Sequence, residues 1–131
     1  MNKHQIVIGA IGRLELQKGF DVLIKAMTLV ESSGAQLVVY GSGRKEDDLR
    51  KLAEKLGLGG RVFWGGRLDN VDWVYESIDL LIIPSRFEGL PNVAVEAMML
   101  GCPIVASGVD GLLELIRDGH DGWLVKPDRP D

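Results

Sequence analysis

The 131-residue chain has one cysteine, Cys102, two histidines and little aromatic content, 6%. A single cysteine excludes an intrachain disulfide. Flanked by Gly101 and Pro103, Cys102 reads as a small buried or half-buried filler in a helix-to-strand turn rather than a nucleophile. His4 and His120 lie far apart, and no Cys/His cluster has metal-ligand spacing, so no structural metal is expected. Positive charge is not in excess: the formal net charge is −4, which does not fit a non-specific nucleic-acid binder. No apolar run is long enough for a membrane span, and the polar start Met1–His4 is no signal peptide. The reading is cytoplasmic, with peripheral membrane attachment of a larger protein left open. Internal repeats, low-complexity stretches and linkers are also lacking. A G-x-G-x-x-G loop is missing, and no acidic residue clearly ends the second strand, which counts against a nicotinamide dinucleotide site.

What is present is a regular alternation. The length fits one domain, and 46% hydrophobic with 26% charged residues is ordinary for a soluble core. Apolar runs predict strands at Gln5–Ile11, Gln36–Tyr40, Arg61–Trp64, Asp79–Ile83, Pro103–Ala106 and Gly122–Val125. Helical periodicity predicts helices over Gly19–Glu31, Lys45–Leu56, Val71–Glu76, Pro91–Leu100 and Leu112–Ile116. Strands that are apolar on both faces imply a sheet covered on both sides. The expected fold is an α/β, open, doubly wound parallel sheet, Rossmann-like, of about six strands in the order 3-2-1-4-5-6. Ligands in such sheets sit at the carboxyl ends of the strands, where this chain places Gly12, Gly41, Gly43, Gly65, Gly66, Gly89 and Gly108. Several of these are expected to be plain turn glycines.

The stretch Pro84–Ser107 carries the most chemistry. A buried strand ends at Pro84, a loop holds Ser85, Arg86, Phe87, Glu88 and Gly89, and a helix begins near Leu90, Pro91 and Asn92. Free amides at a helix start favour an anion, so a diphosphate is expected over Gly89–Val93. Glu88 and Glu96 bracket that place, roughly 10 Å apart at the rise of a helix, and a carboxylate accepts hydrogen bonds from a vicinal diol. Alone, Glu96 reads as an ordinary helix glutamate. Glu88, at a strand's carboxyl end, reads as functional by itself. In the expected strand order the loop after strand one faces the loop after strand four, so Arg13 and Lys18 would converge on the same anion. Trp64, Trp73 and Trp123 read as packing residues, with Trp64 closest to a candidate site. Met98 and Met99 read as core.

Gly12-Arg13, Gln17-Lys18-Gly19-Phe20 and Gly41-Ser42-Gly43 together resemble the donor domain of family 4 GT-B glycosyltransferases. So do Pro84-Ser85, Glu88-Gly89 and Glu96-Ala97, the family's two glutamates separated by seven residues. Gly111, Glu114 and the Asp118-Gly119…Gly122 turn continue the pattern, which runs from the first strand to Pro127. The resemblance implies a nucleoside-diphosphate sugar as donor and no cofactor or catalytic metal. It implies that Arg13 and Lys18 neutralise the diphosphate, that Glu88 contacts hydroxyls of the sugar, and that Gly12 and the Gly89, Leu90, Pro91 and Asn92 segment hold sugar and phosphate. It places Glu96 on the ribose, and the base near Gly65–Leu68 with Arg67 and Leu68 as neighbours. It implies retention of anomeric configuration. It also implies an N-terminal acceptor-binding domain and closing C-terminal helices that 131 residues do not contain, so the chain alone is expected to be inactive in transfer. The residues leave two other readings open: the donor half of another GT-B enzyme such as an epimerase, and a module that binds a nucleotide without chemistry.

Overall fold

The computed structural model describes residues 6–30, 34–70, 72–88 and 92–130. Six strands form one parallel sheet: β1 Ile6–Ile11, β2 Ala35–Tyr40, β3 Val62–Gly66, β4 Leu80–Ile83, β5 Ile104–Ser107 and β6 Trp123–Val125. Their order is β3-β2-β1-β4-β5-β6, the expected 3-2-1-4-5-6. Five helices connect them: α1 Phe20–Met27, α2 Glu46–Lys55, α3 Asp72–Ser77, α4 Asn92–Met99 and α5 Asp110–Leu115.

Alternation along the strands sends side chains into two cores. Ile8, Ala10, Leu37 and Val39 face α1 and α2, with Phe20, Leu23, Ile24 and Met27 at helical spacing on α1. Leu81, Ile83, Ile104 and Ala106 face the other way, against Val74, Tyr75, Ala94, Ala97 and Leu112 of α3, α4 and α5. Ile24 and Met27 are almost wholly buried, each contributing about 1.5–3 kcal/mol of transfer free energy. Acidic residues sit in the first turn and lysine in the last turn of both α1 and α2, the arrangement that favours the helix dipole.

Several details depart from the sequence reading, among them the bounds of β3 and α5. Helix α1 starts after Gly19 rather than at it, because Gly19 has φ +69° and a left-handed conformation that caps a one-turn 3-10 helix, Leu16–Lys18, not expected from periodicity. Met99 is 81% exposed and is not core: Ala94 and Ala97 carry the buried stripe of α4, and Met99 lies off it, while Met98 is partly buried. Trp64 packs against a core, with Arg50 stacked 5.1 Å from its ring, and Trp73, though half-exposed, packs edge-on on Tyr40, whereas Trp123 is half-exposed. Cys102 is buried, as expected. Gln5, Glu31, Val71 and Pro91, at the edges of predicted elements, lie outside the described residues.

Candidate functional site

Strands β1 and β4 are neighbours from which the chain leaves in opposite directions, the switch point where an open α/β sheet forms a crevice. The loop after β1 turns through the 3-10 helix and brings Lys18 back over the end of β4. There Lys18 Nζ donates to Glu88 Oε2 at 3.0 Å and Oε1 at 3.2 Å. Both side chains are largely sequestered, at 18% and 11% exposure, so the pair is better shielded than a surface salt bridge. Ser85, 1% exposed, donates its hydroxyl to the same Oε2 at 3.0 Å. The backbone carbonyl of Glu88 accepts from the Gly111 amide at 3.0 Å, which ties the loop to the start of α5. Glu88 is therefore oriented from three sides.

Beside this pair lies a cleft of about 450 Å³ at the ends of β1, β2 and β3, lined by Ile11, Gly12, Arg13, Tyr40, Gly41, Ser42, Arg67 and Leu68. Four residues singled out from sequence, Gly12, Arg13, Arg67 and Leu68, thus share one wall. Its shape requires glycine at position 41: the φ is +136°, and a Cβ there would collide with the carbonyl oxygen of Gly12. Among the described residues neither Arg13 nor Arg67 forms an ion pair, so both cations are exposed to a ligand. Arg13 also lines a second open cleft, with Gln17 and Phe87, that lies toward the Lys18–Glu88 loops.

Glu96 is partly buried in the second turn of α4, and its Oε2 accepts from the hydroxyl of Tyr75 at 3.1 Å. Asn92 is exposed at the start of α4. Gly89, Leu90 and Pro91, the centre of the expected anion cradle, lie outside the described residues. Arg13 lines the cleft, and Lys18, bonded to Glu88, runs its side chain beside Gly12, which lines the same cleft.

Sequence reasoning assigned no role to Arg86, which organises the loop. Its guanidinium forks onto Asp21 at 2.9 and 3.0 Å, donates to the Leu16 carbonyl at 2.6 Å and to Asp128 at 2.9 Å, and its amide donates to the Gln17 carbonyl at 2.8 Å. Burial pushes the Asp21 carboxyl up, but the hydrogen bonds and charge of Arg86 outweigh it and leave Asp21 below the usual carboxylate range. Arg86 thus holds both sides of Lys18's turn. The available signal was an arginine two residues before Glu88 with an aspartate in the first turn of α1.

An apolar groove of about 430 Å³ runs between α1 and strands β4, β5 and β6, lined by residues such as Val22, Leu23, Ile82 and Val105. Its lining also includes Ser107, Lys126, Asp128 and Arg129, but the switch-point crevice is the place where Arg13, Arg67, the Lys18–Glu88 pair and glycine backbone gather at the strand ends.

An open parallel sheet with charged groups and glycine backbone gathered at its switch point is the arrangement in which doubly wound α/β domains hold their ligands. The chain matches the family described as "Glycosyl transferases group 1" over residues 1–131 and belongs to it. It is 41% identical over 124 residues to an uncharacterized glycosyltransferase of Methanocaldococcus jannaschii, covering 92% of this chain and 32% of that one. It is 34% identical over 119 residues to the lipopolysaccharide core biosynthesis glycosyltransferase LpsE of Rhizobium meliloti, covering 91% and 34%. The chain thus spans about a third of the length of these curated relatives. Among solved structures, Anabaena HepE in complex with UDP and glucose superposes with a TM-score of 0.91 at 28% identity, covering 97% of this chain and 36% of HepE. HepE is also known in complex with UDP-glucose.

Proposed function

We propose that this chain is the donor-binding domain of a retaining, family 4 GT-B glycosyltransferase, and that it holds a uridine-diphosphate sugar across the switch-point crevice. The observation that carries the reading is the Lys18–Glu88 pair at 3.0 Å, where β1 and β4 diverge. It sets a cation for phosphate beside a carboxylate for sugar hydroxyls. Arg13, exposed in the adjoining cleft, adds the second cation. As the sugar–phosphate bond breaks, negative charge grows on the departing diphosphate. Fixed positive groups aimed at that charge lower the barrier more than they stabilise the ground state. Lys18 exchanges its bond to Glu88 for one to phosphate, which frees the carboxylate to accept from the sugar. Arg67 and Leu68 border the base, and Glu96 accepts from the ribose hydroxyls. The backbone amides of Gly89, Leu90 and Asn92, in the segment with Pro91, are assigned to hold sugar and phosphate.

The uridine assignment is supported by HepE, whose complexes contain UDP and UDP-glucose. Transfer requires an acceptor-binding domain, supplied by the same or a separate polypeptide, and the acceptor is set there. The chain alone therefore binds donor without completing transfer.

Calorimetric titration with UDP, GDP and ADP, without added metal, tests the reading. Saturable binding of UDP is expected, weakened at least about ten-fold by Arg13→Ala or Lys18→Ala, a loss typical of charge-assisted phosphate contacts. Unchanged affinity in both variants removes the diphosphate assignment.

A further inference from the structure

Glu96 is held from outside its own helix. Tyr75, on α3, is 3% exposed and part of the core beneath α4. Its hydroxyl donates to Glu96 Oε2 at 3.1 Å, with the Val93 carbonyl 3.4 Å away as a second, longer acceptor. Burial and the neighbouring Glu96 charge keep the phenol protonated well above its ordinary range, so it remains a donor. The same short helix touches the other side of the site. Trp73 packs edge-on against Tyr40, ring centres 5.8 Å apart at 86°, and Tyr40 lines the cleft that holds Arg67 and Leu68.

We propose that Tyr75 is a positioning residue for nucleotide recognition: it fixes the carboxylate of Glu96 in the orientation that accepts the ribose diol. The inference rests on the assignment of Glu96 to the ribose. A glutamate side chain on a helix surface samples several rotamers, and ordering it on binding costs free energy. A buried phenol that already holds one oxygen removes part of that cost. Each carboxylate oxygen can accept two hydrogen bonds, so the bond from Tyr75 leaves both oxygens able to receive a hydroxyl. Helix α3 thereby couples the cleft wall to the ribose carboxylate.

The test is calorimetric titration of the chain with UDP and with 2′-deoxyuridine diphosphate. Wild type is expected to prefer UDP, and Glu96→Ala to lose the preference. Tyr75→Phe keeps the buried ring and removes only the hydroxyl. It is expected to weaken UDP binding roughly three- to ten-fold, as for loss of a hydrogen bond to a charged group, and to weaken the deoxy nucleotide, which keeps only the 3′-hydroxyl, by clearly less. Added to Glu96→Ala, it should change nothing further. Glu96→Asp, which leaves the core intact and draws the carboxylate away from the phenol, is expected to lose preference as well. Wild-type preference in Tyr75→Phe and Glu96→Asp, with the preference lost in Glu96→Ala, overturns the positioning role and leaves the ribose assignment intact. An equal loss for both nucleotides in Tyr75→Phe also overturns it. Preference retained in Glu96→Ala overturns the ribose assignment and the role of Tyr75 with it, as does a folded wild-type chain that does not bind UDP.

Discussion

Lys18 and Glu88 form an ion pair, and the proposed donor site gives them opposite tasks toward one ligand, phosphate for the cation and sugar hydroxyls for the carboxylate. Their variants should therefore behave differently. Lys18→Ala removes a phosphate contact and is expected to weaken UDP and UDP-sugar alike. Glu88→Gln removes a carboxylate that competes for Lys18. It is expected to leave UDP affinity within about three-fold of wild type, or to tighten it, while abolishing any extra affinity of UDP-sugar over UDP. Parallel titrations of the two ligands read this directly, and an equal loss of both in Glu88→Gln contradicts a sugar-facing role. The position of Glu88 at the carboxyl end of a buried strand, facing the loop after β1, was legible in the sequence, and there it pairs with Lys18. Ser85 and Tyr75 were not: their roles depend on which way a buried side chain turns, and for Tyr75 on a contact 21 positions along the chain. Met99 was misread because a methionine beside Met98 on an apolar helix looks like core, whereas the small Ala94 and Ala97 make the close contact.

At the level of elements, the turn between β1 and α1 depends on two features that helical periodicity does not report. One is Gly19, at φ +69°, where a Cβ would collide with the Pro84 carbonyl oxygen. Gly19→Ala would incur both backbone strain and a clash with the loop that carries Glu88. A loss of roughly 2–4 kcal/mol in denaturant unfolding is expected. The other is Arg86, whose fork onto Asp21 and bond to the Leu16 carbonyl hold the turn. Arg86→Met is expected to cost about 1–3 kcal/mol at neutral pH and to weaken UDP binding indirectly, by loosening Lys18. The pH dependence carries a sign. Asp21 is held below its usual range by Arg86, burial opposing. Its contribution is thus present above the unfolded carboxylate value and lost as pH falls through the lower folded one. Below about pH 4 the stability gap between wild type and Arg86→Met should shrink. A gap constant from pH 7 to pH 2.5 contradicts the assignment. The helix period found α1 but placed its start one residue early and missed the 3-10 turn, since three residues are too few to show a period.

For the whole molecule, strand order was the most legible property. Alternating apolar strands and amphipathic helices, with one switch point, leave few arrangements, and β3-β2-β1-β4-β5-β6 is the one observed. Once that order holds, Gly12, Arg13, Arg67 and Leu68 meet in one cleft although they come from separate loops. Less legible was how the two sheet faces divide. Helices α1 and α2 pack mainly over β1, β2 and β3, while the same face over β5 and β6 carries the apolar groove. No local pattern in the sequence distinguishes that groove from a covered surface. Besides the open cleft at Arg13, Gln17 and Phe87, the described residues form two concavities of similar size, about 450 and 430 Å³, one at the switch point with Arg13 and Arg67 in its lining and one largely apolar with Lys126, Asp128 and Arg129 in its lining. Which of them takes the nucleotide is the point on which the account depends.

Backbone amide NMR of the labelled chain during titration with UDP decides between them. The account predicts saturable shifts at Gly12, Arg13 and Lys18, at Arg67 and Leu68, and along Asn92–Glu96, with Val22, Leu23, Val105 and Val125 unmoved. Shifts confined to those four residues and their neighbours in the apolar groove, or none in a folded chain at millimolar UDP, would contradict a donor site at the switch point.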